Sequence, residues 1–260
     1  AYCASVDDVV ASVTFAREHG LRISVRSGGH SVAGASVVSG ALVVDCSRLE
    51  WVRVDPDERT ARVGPGATWE TVDRAAQSVG LATPGGVYSG TGVAGLTLGG
   101  GTGYLSPKHG FAADNLRAID VVTADGDRVR ADADQREDLL WAARGGGTVG
   151  VVTAFEFDLH PLDHDVAYFE SWLPLSAATP ALETYREFQA SAPDAACVFP
   201  YFASVPATAA FPTARHGDDV LVLAGAYVGR AEDAREACEP FVDHDAAVSA
   251  SFETLSYLDL

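Results

Sequence analysis

Residues 80–116 read GLATPGGVYSGTGVAGLTLGGGTGYLSPKHGFAADNL, and a shorter stretch upstream, residues 26–36, reads RSGGHSVAGAS. Glycine at this density lets the backbone adopt positive φ. It also removes the side chains that would hold a ligand away from peptide N–H groups. Such loops cradle phosphates, or they serve only as tight turns. Neither stretch is a P-loop, because no Gly-Lys-Ser/Thr follows. Neither is a clean strand–turn–helix dinucleotide fingerprint with an acid about 20 residues on. A third cluster, Gly145-Gly146-Gly147, lies in the same region and shifts the balance toward a large diphosphate cofactor. His30 is the most informative single residue, since it follows Gly28-Gly29 and precedes Ser31. Neutral imidazole is a nucleophile, so a histidine there can attach covalently to an electrophilic cofactor.

Outward from these loops, the first 160 residues alternate short strands and helices. A helix is predicted over Asp7–His19, with Ser5 as cap and Val9, Val10, Val13 and Phe15 as its apolar stripe. Strands are expected at Arg22–Val25 and Ala41–Asp45. Val52–Val54 and Thr60–Val63 flank Asp55-Pro56-Asp57 as a hairpin, and Ile119–Thr123 and Arg128–Ala131 flank Ala124-Asp125-Gly126-Asp127 as another. Helices are expected at Thr68–Val79, ended by Gly80, and at Asp138–Ala143, with a strand over Val151–Leu159. After His160-Pro161 the glycine density falls. Strands at Ala167–Leu173, Val198–Ser204 and Val220–Val228, with helices at Ala178–Ala190 and from Ala231, point to a second domain. It reads as an antiparallel sheet with helices on one face, left unfinished at Leu260.

Composition narrows the classes. The chain has 260 residues, 47% hydrophobic and 21% charged, which is ordinary globular make-up. No apolar run reaches the roughly 18 residues of a spanning helix, so no membrane partner is expected. The net charge of −18 argues against nucleic acid, whose phosphates need the opposite sign. All but one of the 18 basic residues are Arg, the exception being Lys108. An acidic, Lys-poor surface of this kind suits a salt-loaded cytoplasm, and a GC-rich genome gives the same bias. Four separated cysteines (Cys3, Cys46, Cys197, Cys238) make neither a zinc site nor a disulfide framework and read as buried thiols. No metal spacing is present: His160, His164, His216 and His244 read as solvated surface, and Asp125–Asp138 as an exposed hairpin and loop. No signal peptide is visible, and a cytoplasmic location is expected.

The segments RSGGHSVAGAS, GLATPGGVYSGTGVAGLTLGGGTGYLSPKHGFAADNL and GVVTAFEFDLHPL (residues 150–162) together resemble the berberine-bridge-enzyme-like flavoproteins of the vanillyl-alcohol-oxidase superfamily. The resemblance runs through nearly all of residues 1–160, in order and at family spacing. It implies an α+β fold with a PCMH-type FAD-binding domain over 1–160. A partial antiparallel-sheet substrate-binding domain with helices follows over 161–260, truncated at its C-terminus. It further implies FAD bonded through His30 to the 8α-methyl of the isoalloxazine. The backbone of Val25, Arg26, Ser27, Gly28, Gly29, His30 and Ser31 would hold the pyrophosphate. Ser89, Gly90, Gly92 and Gly95 would line the flavin, and Val152 would meet the adenine end.

Three departures from the family pattern stand out. Tyr88 occupies the position where bicovalent members carry Cys, so a second thioether link is excluded, and Tyr88 either approaches the flavin or fills space. The stretch from Gly145 to Gly150 is one residue short. The C-terminal part that completes the family fold is absent, so a second chain or a missing segment is expected to complete it. The function expected from the resemblance is oxidation of an alcohol or amine C–H in a small-molecule substrate by hydride transfer to FAD. The alternative is a non-catalytic flavin-binding fragment. A nicotinamide dehydrogenase fails for want of its fingerprint. The catalytic base is not fixed by the sequence, with Tyr88, Tyr201 and Tyr227 as candidates. Lys108, His109, Asp114 and Asn115 read as scaffold.

Overall fold

The computed structural model describes residues 1–260 apart from Thr148 and Asp243, in two compact units, Ala1–Asp163 and His164–Leu260. In the first unit, helix α1 (Val6–Glu18) starts at a reciprocal cap. Ser5 Oγ accepts from the Asp8 amide, while the Asp8 carboxylate accepts from the Ser5 amide. Strands β1 (Arg22–Arg26) and β2 (Ala41–Asp45) form a parallel pair. Strands β3 (Val52–Asp55) and β4 (Thr60–Val63) form the first expected hairpin, followed by α2 (Trp69–Gln77) and β5 (Leu81–Ala82). The long glycine-rich segment contains two short helices, α3 (Val93–Leu98) and α4 (Ser106–His109), which its composition concealed. Then come β6 (Leu116–Val122), β7 (Arg128–Ala131), α5 (Glu137–Ala143), β8 (Val151–Asp158) and β9 (His160–Pro161).

The main sheet of this unit is antiparallel, in the order β3-β4-β8-β6-β7, and β9 pairs with β5 instead of joining it. Strand β8 is central. Its first five residues are buried, as expected of an almost unbroken apolar run placed between neighbours on both sides. Phe155 and Phe157 from β8 meet Trp69 of α2, Leu116 and Ile119 in one core, with the Trp69 and Phe157 rings 5.7 Å apart. Arg130 of β7 pairs with Asp120, Asp132 and Glu156, and Arg62 pairs with Asp120, so arginine and carboxylates interleave across β4, β6, β7 and β8.

The second unit carries β10 (Val166–Pro174), α6 (Ala178–Gln189), β11 (Ala196–Ser204), β12 (Asp219–Tyr227), α7 (Ala231–Ala237), α8 (Glu239–Val242) and β13 (Ser249–Leu255). Its sheet is antiparallel throughout, in the order β11-β12-β10-β13. β13, which the sequence reading left unassigned, is one edge. β11 is the other, with Pro200 in its middle opposite Leu223. Alternation along β10 and β12 sends Phe169, Leu173, Leu221 and Leu223 toward the helices, where Phe241 of α8 is fully buried against Phe169 and Phe188. Trp172, Val220, Val222 and Ala224 face the other way and gather Val205 and Phe211. All four cysteines are buried thiols outside any disulfide among the described residues, as the sequence reading expected, and burial pushes the Cys46, Cys197 and Cys238 thiols up to about 12.

Phe241→Ala is expected to cost about 3–5 kcal/mol, the range for truncating a buried aromatic ring. Thermal unfolding followed by circular dichroism should therefore show a markedly lower transition. An unchanged transition would show that Phe241 is not the keystone of this core.

Candidate functional site

Strand β1 delivers the chain from Arg26 into the loop Ser27–Ser31. This loop lies against the entry to α3 with backbone touching backbone. A Cβ on Gly28 would sit 2.6 Å from the Gly92 amide nitrogen, and one on Gly92 would sit 2.5 Å from the Gly28 nitrogen and 2.7 Å from Ser27 Oγ. No side chain fits at either position. Ser27 Oγ donates to the Pro65 carbonyl at 2.6 Å, which fixes the loop from below. Gly29 has φ of +79°, a conformation that L-residues resist.

The inner and outer sides of the cradle differ. Gly85, Gly101 and Gly103 are pressed against Trp69, Leu96 and the Gly85 carbonyl, respectively, so their missing side chains make room for protein. Gly90, Gly95, Gly100 and Gly147 have nothing within 4 Å of where a Cβ would stand. Among the described residues, the N–H groups of Gly28, Gly29, His30 and Ser31 make no hydrogen bond. Trp69 Nε1, Thr83 Oγ1 and Thr97 Oγ1 are buried with no partner among the described residues. Buried polar atoms without partners are uncommon and mark places where water or a ligand belongs. Unengaged amides, open glycine faces and orphaned donors together fit a large ligand that carries phosphate.

The individual residues of the resemblance fall as follows. His30 is exposed and has no hydrogen bond among the described residues. Ser31 Oγ accepts from the Ala35 amide at 3.1 Å and so shapes the following turn. Val25 is half-buried beside the α1 core, and the Ser89 carbonyl accepts from the Glu70 amide at 2.8 Å. Val152 is buried in β8, and Gly150 (φ +127°), two residues before it, lies against the Val122 carbonyl. Thr148, within the shortened loop, lies outside the described residues. The Arg26 side chain is engaged within the protein: its Nη1 donates to Asp45 at 2.6 Å, and its Nε lies under Gly29. Burial raises the Asp45 carboxyl, but hydrogen bonds from Ser47 and Arg26 outweigh it and hold the group below its ordinary range. Much of the Arg26 charge is therefore already balanced. Tyr88 is 74% exposed beside the cradle, whereas Tyr227 is packed into the helix-side core of the second unit.

Two residues read as peripheral form a pair. His160 is not solvated surface. Its ring stacks on that of His109 with centroids 3.9 Å apart, and its Nε2 lies 2.6 Å from Asn115 Oδ1. Asn115 Nδ2 donates to the His109 and Phe111 carbonyls, and Asp114 accepts from the Phe111 amide, so this turn is structural, as the sequence reading proposed. Burial, then His160 and Lys108, hold the His109 imidazole down at about 4. Burial, with Lys108 adding and Asp158 opposing, holds His160 below its ordinary value. Their spacing of 51 positions hid the pair from any local motif.

Two tests follow from this geometry. Gly92→Ala should cost roughly 1–3 kcal/mol through forced separation of two backbones. Gly95→Ala, in a helix with open space beside it, should be neutral or stabilising by up to about 1 kcal/mol. Chemical denaturation of both variants checks the contrast, and equal effects would contradict the packing described. For the histidines, the folded chain binds fewer protons than the unfolded chain below about pH 6.5, so the stacked pair loses stability on acidification. Burial pushes the Asp73 carboxyl up to about 7, which works in the opposite sense. The difference between wild type and His109→Phe isolates the His109 contribution, since His160 keeps its own burial. From pH 7 to pH 5 the wild type should lose a few degrees relative to the variant, at roughly 2–4 °C per kcal/mol for a chain of this size. A constant difference would exclude the effect.

Residues 1–132 match the FAD binding domain family. Over 176 residues the chain is 40% identical to (R)-6-hydroxynicotine oxidase of Paenarthrobacter nicotinovorans, covering 67% of this chain and 38% of that protein. The structure of 6-hydroxy-D-nicotine oxidase from Arthrobacter nicotinovorans superposes on all of this chain and 56% of that one, with a TM-score of 0.87 at 30% identity. BBE-like 1 of Physcomitrella patens does so with a TM-score of 0.84 at 27% identity, over 98% of this chain and 54% of that one. The chain thus spans about half the length of these solved structures. The matching segment takes in both glycine-rich loops, and the chain belongs to the FAD binding domain family, among the berberine-bridge-enzyme-like flavoproteins of the vanillyl-alcohol-oxidase superfamily, with FAD as its cofactor.

Proposed function

We propose that this chain supplies the FAD-holding part of an oxidoreductase that takes a hydride from an alcohol or amine C–H of a small molecule, with His30 as a covalent tether. One observation carries the reading: the run of unengaged amides at Gly28–Ser31, with exposed His30 in its middle, held by backbone contact with Gly92. FAD held by the Gly28, Gly29 and Ser31 amides and by His30 would supply a two-electron acceptor for that hydride.

The chain's own residues divide the work. The N–H groups of Gly28, Gly29 and Ser31 are suited to the diphosphate, since consecutive amides neutralise an anion without a cationic surface. That suits a protein of net charge −18 whose nearest guanidinium, Arg26, is paired with Asp45. Gly90 and Gly95 leave room for a flat ring system, and Val152 is the candidate neighbour of the adenine end. The 161–260 portion is the candidate substrate-binding part. Burial, then Glu170, push the Tyr201 hydroxyl up, and burial likewise raises Tyr227. Near neutral pH both are hydrogen-bond donors and not bases. Tyr88 stays exposed beside the cradle and is the remaining tyrosine candidate for proton transfer.

The chain produced with FAD is expected to be yellow, to keep its colour through acid precipitation, and to gain the mass of one FAD. His30→Ala should release the colour into the supernatant. Gly95→Ala should weaken FAD retention without loss of stability. Colour released from the wild type would remove the His30 bond and keep the cofactor. A colourless protein of bare mass, even with FAD supplied, would favour a non-catalytic fragment.

A further inference from the structure

The face of the second unit's sheet that turns away from α6 and α8 has an unusual pattern when read across the strands. From β13 through β10 and β12 to β11, one row runs Glu253, Tyr168, Ala226, Cys197. The next runs Ser251, Glu170, Ala224, Phe199, and the third Ser249, Trp172, Val222, Tyr201. β12 contributes only small aliphatic residues. These β12 residues lie buried beneath the aromatic side chains of β10 and β11, which form the outer layer of this face. Trp172 is braced edge-on by Phe211, with ring centroids 4.7 Å apart. No Arg, Lys or His occurs in these rows, and Glu170 has no ion pair among the described residues. Its one hydrogen bond comes from Tyr168 Oη, which donates to Oε2 at 3.2 Å. Tyr201, one row along, feels the Glu170 charge.

A half-buried carboxylate among aromatic rings with no cation beside it is costly to maintain unless something positive completes it. A neutral sugar can stack on such rings but leaves the Glu170 charge without a counter-charge. A cationic nitrogen is attracted both to the carboxylate and to the faces of Trp172, Tyr168 and Tyr201. We propose that Glu170, with Tyr168, Tyr201 and Trp172 around it, recognises a cationic nitrogen on the substrate, so that the substrate class is an amine or nitrogen heterocycle and not a carbohydrate. Glu170 acts here as a specificity-determining residue, and Tyr168 orients its carboxylate. The inference rests on the oxidoreductase reading for its meaning, but its test does not need turnover.

The 260-residue chain is titrated, with and without FAD, with 2-phenylethylammonium, its near-isosteric neutral counterpart 2-phenylethanol, and cellobiose, with binding followed by ligand-observed NMR. The ammonium probe should bind about tenfold more tightly than the alcohol, the size expected of a partly desolvated cation–π and ion-pair contact. Cellobiose should not bind measurably. Glu170→Gln should abolish the preference. Glu187→Gln, on the exposed face of α6, should leave it intact, which separates a local site from the general pull of an acidic protein. In the wild type, added salt should weaken the ammonium probe and not the alcohol, a readout that does not depend on any variant folding. Equal binding of the two probes, a preference for cellobiose, no binding of any probe, or a preference that survives Glu170→Gln would each overturn the proposal. Colour retention scores the flavoprotein reading separately, so either can fail without the other.

Discussion

The site in the first unit depends on one close approach, the backbone of Gly28 against the backbone of Gly92. Two loops separated by more than sixty positions meet with no side chain between them. Ser27, bonded to the Pro65 carbonyl, and Arg26, bonded to Asp45, hold one loop in place. The Val93 and Trp69 amides, bonded to the carbonyls of Ala67 and Thr91, hold the other. What is held rigid is a row of peptide amides, and a row of amides becomes a binding element only when its geometry is set before the ligand arrives. The glycines fall into two classes on physical grounds. Some are glycine because protein occupies the space a side chain would need, and others because that space is open.

This division explains what could be read from the sequence. The glycine runs were legible as a cradle, and His30 as its reactive member, because residue type alone carries that information. The hairpin at Asp55-Pro56-Asp57, the capped helix after Ser5 and the alternating strands were equally plain, since each depends on neighbours within a few residues. Helix α3 was not visible, because the five glycines from Gly92 to Gly101 outweigh the short apolar pattern of Val93, Ala94, Leu96 and Leu98, and α4 is only four residues long. β13 was missed for a related reason. Ser249, Ser251 and Thr254 make a weak strand signal, and only the pairing with β10 gives the segment its form. The His109–His160 stack and the Arg26–Asp45 pair are long-range contacts with no local trace at all.

Charge is used with some economy of means. Arginine supplies nearly all of the positive charge, and much of it is absorbed by carboxylates across β4, β6, β7 and β8 and at Asp45. A planar, always-protonated group bridges several carboxylates at once, which a lysine does less well. The result is a protein that presents a strongly negative exterior while its anion-binding loop relies on peptide dipoles. Binding of a phosphate there is insulated from the net charge in a way that a lysine-based site would not be.

Pro200 has a consequence for how the second sheet can grow. A proline has no N–H, and its presence in the middle of β11 without breaking the ladder to β12 means its nitrogen faces outward. The outer rim of β11 therefore lacks a donor at its centre, and any strand laid along it would leave a carbonyl unanswered. The opposite rim, along Ser249–Leu255, carries no proline. The two rims thus differ in kind: along β11 a proline interrupts the row of outward donors, and along β13 no residue does so.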